Sequence, residues 1–213
     1  MGRAWTDHSG EAYAELIWLG ALGGADAFDT HLAASILALA LREALHEDTP
    51  LCELTGLDDA ETEALAAICF PGARLPLSGT PARTQEEQAL RDILWMNSAA
   101  ASVLEILLSR MVARRCQRPN HLWQDLGLGG RTELSMLMQR HFPRLAARNG
   151  ADMKWKKFFY RMMCSSEGFR LCSAPVCTEC DDFDACFGAE DGESLLARMA
   201  NGRPAPMQPE ARA

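Results

Sequence analysis

Apolar residues recur at three- and four-residue spacing over most of this chain, from about Gly10 to Met163. That spacing places them on one face of an α-helix, whereas a half-buried strand would alternate apolar and polar residues. Because almost no stretch alternates, we predict an all-α protein without a sheet. The prediction comprises a flexible N-terminus over residues 1–10, a compact multi-helix domain over residues 11–190, and a disordered, proline-rich tail over residues 199–213.

One helix start is marked by a capping box, in which Thr84 can accept a hydrogen bond from the backbone N–H of Glu87 while the Glu87 side chain reaches back. The apolar series that follows continues to Met111. It forms either one long helix or two helices, and the pair Asn97–Ser98 is the predicted break, because both side chains compete for backbone hydrogen bonds.

Two parts of the chain are similar to each other. Each has a helical stretch, then a glycine followed by a leucine, then a second helical run that ends at Phe-Pro. Leu57 and Leu128 correspond at an offset of 71 residues, and the Phe-Pro pairs at an offset of 72. In both parts glycine suits the left-handed end of a helix, and proline suits the first turn of the next. We predict a duplication with copies near residues 31–96 and 102–164; the alternative is chance, since both strings are common.

Four of the eight cysteines lie in one short window, with the spacing C-x4-C-x2-C-x5-C: Cys172, Cys177, Cys180 and Cys186. Thiolates are soft ligands that favour zinc, copper(I) or iron–sulfur clusters. Zinc sites usually pair two C-x2-C units across a spacer of about a dozen or more residues, whereas one close pair occurs here. The compressed, unequal spacing is nearer to that of cluster loops. We predict a cysteine-rich, cluster-binding loop over residues 164–190, with structural zinc as the alternative.

The other cysteines and one histidine are weaker candidates. Cys52, Cys69 and Cys116 occur singly in apolar helical contexts, which is typical of small packing residues. Cys164 ends the helix that leads into the window, and His121 lies beside a tryptophan-containing string. Structural roles are the ordinary interpretation of both, and both are candidate auxiliary metal ligands.

The helix just before the window is amphipathic. Its apolar stripe, predicted to pack in the core, consists of Trp155, Phe158, Phe159 and Met162. Its cations are Lys154, Lys156, Lys157 and Arg161. They form either an ordinary solvated face or a contact for an oxyanion or an acidic partner.

Charge and hydropathy exclude several classes of protein. The formal net charge is -8, which disfavours general adhesion to nucleic acid. No apolar run reaches the roughly 20 residues that span a bilayer, and acidic residues interrupt the amino terminus where a signal peptide would be apolar. We predict a cytoplasmic protein that binds neither nucleic acid nor membrane, in which thiols persist as free thiols or metal ligands.

The strings HLWQDLGLGG and MKWKKFFY, followed in order by the four-cysteine spacing, resemble the NifQ family of nitrogen-fixation proteins. The resemblance is strong from about Pro119 to Glu190, whereas the first hundred residues match only in helical character. NifQ proteins are described as iron–sulfur proteins that carry molybdenum and deliver it for assembly of the nitrogenase iron–molybdenum cofactor.

The resemblance implies that the four window cysteines hold a molybdenum–iron–sulfur cluster, or a four-iron four-sulfur or three-iron four-sulfur precursor that captures molybdenum from molybdate. The partners it implies are the nitrogenase cofactor-assembly scaffold, the nitrogenase iron protein and the iron–sulfur assembly machinery. It favours a metal carrier over a turnover enzyme, and the residues show no Ser/His/Asp or paired-carboxylate arrangement for catalysis. The alternatives are a structural zinc domain that mediates protein contacts and an enzyme that inserts sulfur into molybdate.

Overall fold

Ten α-helices account for most of residues 9–167, which is the part of the chain that the structure, a computed structural model, describes. This part contains no strand, so the all-α prediction is confirmed for it. The predictions for residues 1–8 and 168–213, including the four window cysteines and the tail, lie outside the described residues. In chain order the helices are α1 (Ser9–Gly20), α2 (Ala27–Glu47), α3 (Leu51–Thr55), α4 (Asp59–Cys69), α5 (Gln85–Met96), α6 (Val103–Cys116), α7 (Leu122–Asp125), α8 (Arg131–His141), α9 (Pro143–Arg148) and α10 (Trp155–Glu167).

The break predicted at Asn97–Ser98 is confirmed, because α5 and α6 are separate helices. Asn97 ends α5, and its Nδ2 donates to the carbonyl oxygen of Ile93 at 2.7 Å. The next helix begins after Ser102, whose hydroxyl oxygen accepts from the backbone N–H of Glu105 at 3.2 Å. Both polar side chains satisfy helix-end groups that would otherwise lack partners.

The capping box predicted at Thr84 forms only in part. The backbone N–H of Glu87 donates to Thr84 Oγ1 at 3.1 Å, as predicted. The Glu87 carboxylate does not reach back, because it lies between two arginines: Arg91 Nη2 is 2.5 Å from its Oε1, and Arg114 Nη2 is 3.1 Å from its Oε2. With 1% of the side chain exposed, two charged partners outcompete a single backbone donor for this carboxylate.

The core is built around α2 and α6, the two longest helices, with α10 packed onto it. Fully or almost fully buried side chains of α2 and α6 include Leu32, Ile36, Leu37, Leu108, Met111 and Val112. The predicted apolar stripe of α10 is confirmed: Trp155, Phe158 and Phe159 are buried and in mutual ring contact, and Met162 packs partly buried against the same cluster. Burial of this stripe fixes the face on which α10 lies.

Two glycines in the left-handed region allow the two similar parts of the chain to pack closely on each other. Gly56, after α3, has φ +74°, and Gly127, after α7, has φ +70°. A Cβ at Gly56 would lie 2.8 Å from Arg114 Cβ on α6, and a Cβ at Gly127 would lie 2.7 Å from the Ser35 carbonyl oxygen on α2. Each glycine thus lies against the long helix of the other part. The duplication itself stays a prediction, and this reciprocal packing is what two copies related by a twofold axis would show.

Candidate functional site

Helix α10, which leads toward the cysteine window, is fixed to the body of the fold by an ion pair. Lys156 Nζ lies 2.5 Å from Oδ2 of Asp125 in α7, and it also donates to the carbonyl oxygen of Arg118. The Asp125 side chain is 2% exposed, and Asn120 Nδ2 donates to its other oxygen at 3.0 Å. Because the carboxylate is out of water and fully engaged, this contact holds the first turn of α10 in one position.

A fully buried arginine extends this contact into the core. Arg115 in α6 donates from Nη1 and Nη2 to the two carboxylate oxygens of Glu43 in α2, at 2.5 and 2.9 Å. Its Nε donates to the carbonyl oxygen of Asp125. The planar guanidinium matches this arrangement of acceptors, which an ammonium group could not do. Helices α2, α6, α7 and α10 are therefore connected through Glu43, Arg115, Asp125 and Lys156.

The four cations predicted along this helix have different surroundings: Lys154 immediately precedes α10, and Lys156, Lys157 and Arg161 lie within it. Lys156 is engaged by Asp125, whereas Lys157 is exposed. Lys154 and Arg161 are half-buried, and Arg161 contacts neighbouring groups. Lys157 is therefore the most accessible of the four to an anion or an acidic partner, and the role of the whole row in such a contact stays a prediction.

The two candidate auxiliary ligands lie on different elements, His121 just before α7 and Cys164 within α10. His121 immediately precedes α7, is half-buried, and donates its backbone N–H to Gln124 Oε1 at 3.2 Å. Helix α7 meets α10 at Lys156, in the first turn, whereas Cys164 lies eight residues further along, roughly 12 Å at the helical rise. The Cys164 side chain is outside the described residues. Metal ligation by either residue stays a prediction.

Three cysteines of the described part are packing residues, as predicted. Cys52, Cys69 and Cys116 are buried and unpaired. Burial raises the pKa of the Cys69 thiol to about 12, and it raises that of Cys116 to about 12 as well. Both are protonated at neutral pH, a form that is neither a nucleophile nor a metal ligand. Within residues 9–167 no three His, Cys, Asp or Glu side chains gather as a metal site.

Sequence reasoning missed a group of arginines between α5 and α6. Arg83, Arg91 and Arg110 line one cavity of about 310 Å³. In the sequence they are far apart, and nothing in the local pattern joins them. The available signal was Glu87 followed four residues later by Arg91, an ordinary helical ion-pair spacing that does not predict burial.

The sequence matches the NifQ family model over residues 33–188. The chain is 37% identical to a protein NifQ homolog of Sinorhizobium fredii over 91% of this chain and 88% of that protein. It is 38% identical to protein NifQ of Rhodobacter capsulatus over 73% of this chain and 87% of that protein. The similarity therefore extends well before Pro119, and the expectation that the first hundred residues match only in helical character is wrong.

Two further findings concern solved structures and membrane-spanning helices. No solved structure is significantly similar to this chain. Among the described residues, no helix has the length and apolar character needed to cross a bilayer.

Proposed function

This chain belongs to the NifQ family, and from that premise we propose that it carries molybdenum on an iron–sulfur cluster for biosynthesis of the nitrogenase iron–molybdenum cofactor. The observation that carries the proposal is that the family match, residues 33–188, contains the complete cysteine window. Molybdate is the source of the metal. The partners are the cofactor-assembly scaffold, the nitrogenase iron protein and the iron–sulfur assembly machinery. The proposed metal ligands are Cys172, Cys177, Cys180 and Cys186.

The chemistry of the donor set suits this cargo. Four thiols fall within one short segment, and thiolates are the ligands that iron–sulfur clusters take. The buried thiols of Cys69 and Cys116 are protonated and enclosed in the helical core, so they do not compete for metal. A bound cluster would supply sulfide ligands for molybdenum, and the cysteine thiolates of the chain would hold the cluster.

The anchoring of α10 supports a carrier in which the helix before the cysteine window is held against the body of the fold. Cys172 follows Glu167, the last residue of α10, by only five positions. The start of the helix is held by Lys156 on Asp125, and its apolar stripe is buried in the core, including Phe159 at 0% exposure. In our proposal the body remains folded in one arrangement while metal enters and leaves the window.

Delivery requires that at least one ligand of the cargo be exchangeable. One possibility is that one of the four window cysteines releases the metal. The other is that His121, Cys164 or a small exchangeable ligand completes the coordination of molybdenum. The carrier role needs this exchange because a metal held by four inert protein ligands would not pass to a scaffold.

The first test is metal analysis with X-ray absorption spectroscopy on the anaerobically purified full-length protein. We expect iron, sulfide and molybdenum, with molybdenum bound to sulfur. A protein that contains no molybdenum, and gains none on reconstitution with iron, sulfide and molybdate, would contradict the proposal. A colourless protein with one zinc would instead select a structural zinc domain.

The second test changes each window cysteine to alanine in turn and records paramagnetic resonance of the anaerobic protein. We expect the cluster signal to be lost or altered in the variants of true ligands, and a variant with an unchanged signal marks the exchangeable position. Cys116→Ala is the matched control, because it removes a buried thiol that we place outside the site. If all four window variants keep the wild-type signal, the ligand assignment is wrong.

A third measurement separates a carrier from an enzyme that inserts sulfur into molybdate. The loaded protein is mixed with scaffold acceptor, and transferred molybdenum is counted per polypeptide. One transfer for each loading supports the carrier. Many transfers without renewed iron and sulfide would select the enzyme.

A further inference from the structure

We propose that the surface where α9 meets α10 binds an acidic stretch of this same chain, residues 179–193, which overlaps the cysteine window. The surface, called here the basic surface, comprises Arg144, Arg148, Lys154 and Lys157. The contact holds the window beside the body of the fold. The inference goes beyond the proposed function, because it does not depend on which metal the window binds.

Charge is distributed unevenly along the second half of the chain. Residues 140–161 contain seven lysines and arginines and one carboxylate, that of Asp152, although the net charge of the whole chain is -8. Residues 179–193 contain no lysine or arginine and seven carboxylates: Glu179, Asp181, Asp182, Asp184, Glu190, Asp191 and Glu193. Each stretch is therefore the charge complement of the other, and the two attract.

The structure shows which of the cations are already neutralised. Arg140 pairs with two aspartates at the start of α2, and Lys156 pairs with Asp125. Asp152 pairs with Arg131, a cation from outside the basic stretch, with Nη2 and Oδ1 3.1 Å apart. The cations that make no ion pair within residues 9–167 are those of the basic surface: Arg144, Arg148, Lys154 and Lys157. Arg144 donates at 3.4 Å to a backbone carbonyl oxygen, which leaves its charge uncompensated.

A tight turn brings the cations of α9 and α10 together. Asn149 Nδ2 donates to the carbonyl oxygen of Met153 at 2.8 Å, and the backbone N–H of Met153 donates to Asn149 Oδ1 at 2.9 Å. Arg148 and Lys154 directly flank these two bonded residues, and the other two cations lie within about one turn of them. The four cations therefore occupy one small region of the surface.

The carboxylates that contact α10 lie on another flank of the helix. Lys156 and Tyr160, four residues apart, face Asp125 and Glu86 respectively. Lys157 is about 100° round the helix from Lys156 and is exposed. Asp125 and Glu86 therefore leave the charge of Lys157 available to another acidic group.

The acidic stretch is near enough along the chain to reach this surface. Lys157 lies ten residues before Glu167, the end of α10, which is about 15 Å at the helical rise. The eleven residues 168–178 can span at most roughly 36 Å, more than twice that distance. A short linker of this kind gives an effective concentration of about a millimolar. The chain's own carboxylates are thus favoured over those of a separate acidic partner.

The test is zero-length cross-linking of the reduced, metal-free, full-length protein with a water-soluble carbodiimide, which joins a carboxylate to an amine in direct contact with it. Apart from the amino terminus, the only amines of the chain are Lys154, Lys156 and Lys157, so few products can form. We expect Lys154 or Lys157 to be joined to a carboxylate of residues 179–193. Lys156 is the internal comparison and should give less product, because Asp125 already engages its ammonium group. Mass spectrometry of the peptides identifies the products.

Two controls make the absence of a product meaningful. In a parallel reaction, added glycinamide labels the activated carboxylates and verifies that the reagent reaches residues 179–193. Reactions at several protein concentrations distinguish a contact within one chain from a contact between two. We expect the products in the monomer, at a yield that does not change with protein concentration.

Ionic strength and charge reversal test the electrostatic origin of the contact. Raising the ionic strength from about 0.1 M to about 1 M shortens the Debye length from about 10 Å to about 3 Å and should lower the yield severalfold. Arg148→Glu should lower it about threefold or more, since exposed pairs are individually weak and several must act together. The matched control is Arg83→Glu, because Arg83 is exposed, makes no ion pair among the described residues and lines the cavity between α5 and α6. Thermal unfolding of each variant verifies that it is folded.

Three results would overturn the inference. If the carboxylates of residues 179–193 are labelled by glycinamide but form no product with Lys154 or Lys157, the surface is left for a separate acidic partner. If the products occur only in a cross-linked dimer and rise with protein concentration, the occupant is a second copy. If Arg148→Glu has no more effect than Arg83→Glu, the basic surface does not bind the stretch.

These results are independent of the test of the proposed function, because the cross-linked protein contains no metal. A protein that acquires molybdenum but forms none of the expected products would uphold the carrier proposal and overturn this inference. A protein that forms the products but acquires no molybdenum on reconstitution would do the reverse.

Discussion

Lys156 Nζ lies 2.5 Å from Oδ2 of Asp125, a carboxylate that is almost completely removed from solvent. This ion pair joins the helix that precedes the cysteine window to a one-turn helix of the body. The same aspartate presents its backbone carbonyl to Arg115, the most deeply buried cation of the described residues. The first turn of α10 is therefore positioned by a charge contact inside the fold.

Removing the ammonium group should destabilise the fold. Lys156→Met keeps most of the side-chain volume but leaves Asp125 buried without its cation, which should lower the free energy of unfolding by about 3 kcal/mol. Denaturant unfolding measures this change. The control Lys157→Met removes an exposed charge on the same helix and should change stability by less than about 0.5 kcal/mol. Equal effects of the two substitutions would show that the Asp125 contact does not anchor α10.

Gly127→Ala should destabilise the protein more than an alanine at an open glycine does. The new Cβ would lie 2.7 Å from the Ser35 carbonyl oxygen, and φ is +70°. We expect a loss of about 3 kcal/mol, from backbone strain together with the clash. Gly72→Ala is the control: φ is +88° and nothing lies within 4 Å of its Cβ, so only the strain of about 1 kcal/mol applies. Urea unfolding of the two variants separates the cost of the steric clash from that of backbone strain. Similar losses of stability in both would contradict the close approach of Gly127 to Ser35.

Stability should fall on mild acidification because of His141. Burial lowers the pKa of this imidazole below its ordinary value, although Asp29, 3.1 Å from Nε2, and Glu105 act in the opposite direction and Arg140 reinforces the lowering. Since the folded-state pKa lies below the unfolded value of about 6.5, protonation favours unfolding. The stabilisation is complete above that value and is lost as the pH falls through the folded-state pKa.

A neutral side chain should remove this dependence. In His141→Gln we expect a flatter stability profile between about pH 7 and 5 than in wild type. The pKa of Glu47 is lowered by a hydrogen bond from Arg118, so its contribution disappears only at more acidic pH, below its unfolded value. Chemical unfolding at a series of pH values separates the pH range in which His141 acts from the more acidic range in which Glu47 acts. An unchanged slope in the variant would assign the effect to other groups.

Thiol reactivity should divide the cysteines into two classes. Cys69 and Cys116 are buried, with pKa values raised to about 12, so iodoacetamide should not modify them in the folded, metal-free protein at neutral pH. We expect modification of window cysteines under those conditions and of all eight in denaturant. Mass spectrometry of the peptides identifies which cysteines are modified. Rapid labelling of Cys116 in the native protein would contradict the buried core around α6.

Local patterns in the sequence predicted a large part of the fold. The helix break at Asn97 and the buried stripe of Trp155, Phe158 and Phe159 follow from side-chain chemistry and from spacing of three and four residues. These features depend on neighbours within one or two turns. They are therefore visible in a single sequence.

Long-range contacts could not be predicted in the same way. Glu87 was expected to complete a capping box, but arginines on its own helix and on α6 recruit it into the core. The Arg115–Glu43 pair joins residues 72 positions apart, and no local rule selects that partner. The sequence likewise gives no sign that Lys156, next to the basic row, pairs with a carboxylate on α7. Tertiary packing decides which charges remain accessible.

The reciprocal glycine contacts bear on how the protein opens. Gly56 lies against Arg114 Cβ and the Arg110 carbonyl oxygen of α6, and Gly127 lies against the Ser35 carbonyl oxygen of α2, so each part packs closely on a helix of the other. Because these contacts join the two parts, we expect the slowest amide hydrogens of α2 and α6 to exchange together, as one cooperative unit. If the proposed metal binds only the folded protein, loading should slow the exchange of these amides in α2 and α6 together and by a similar factor.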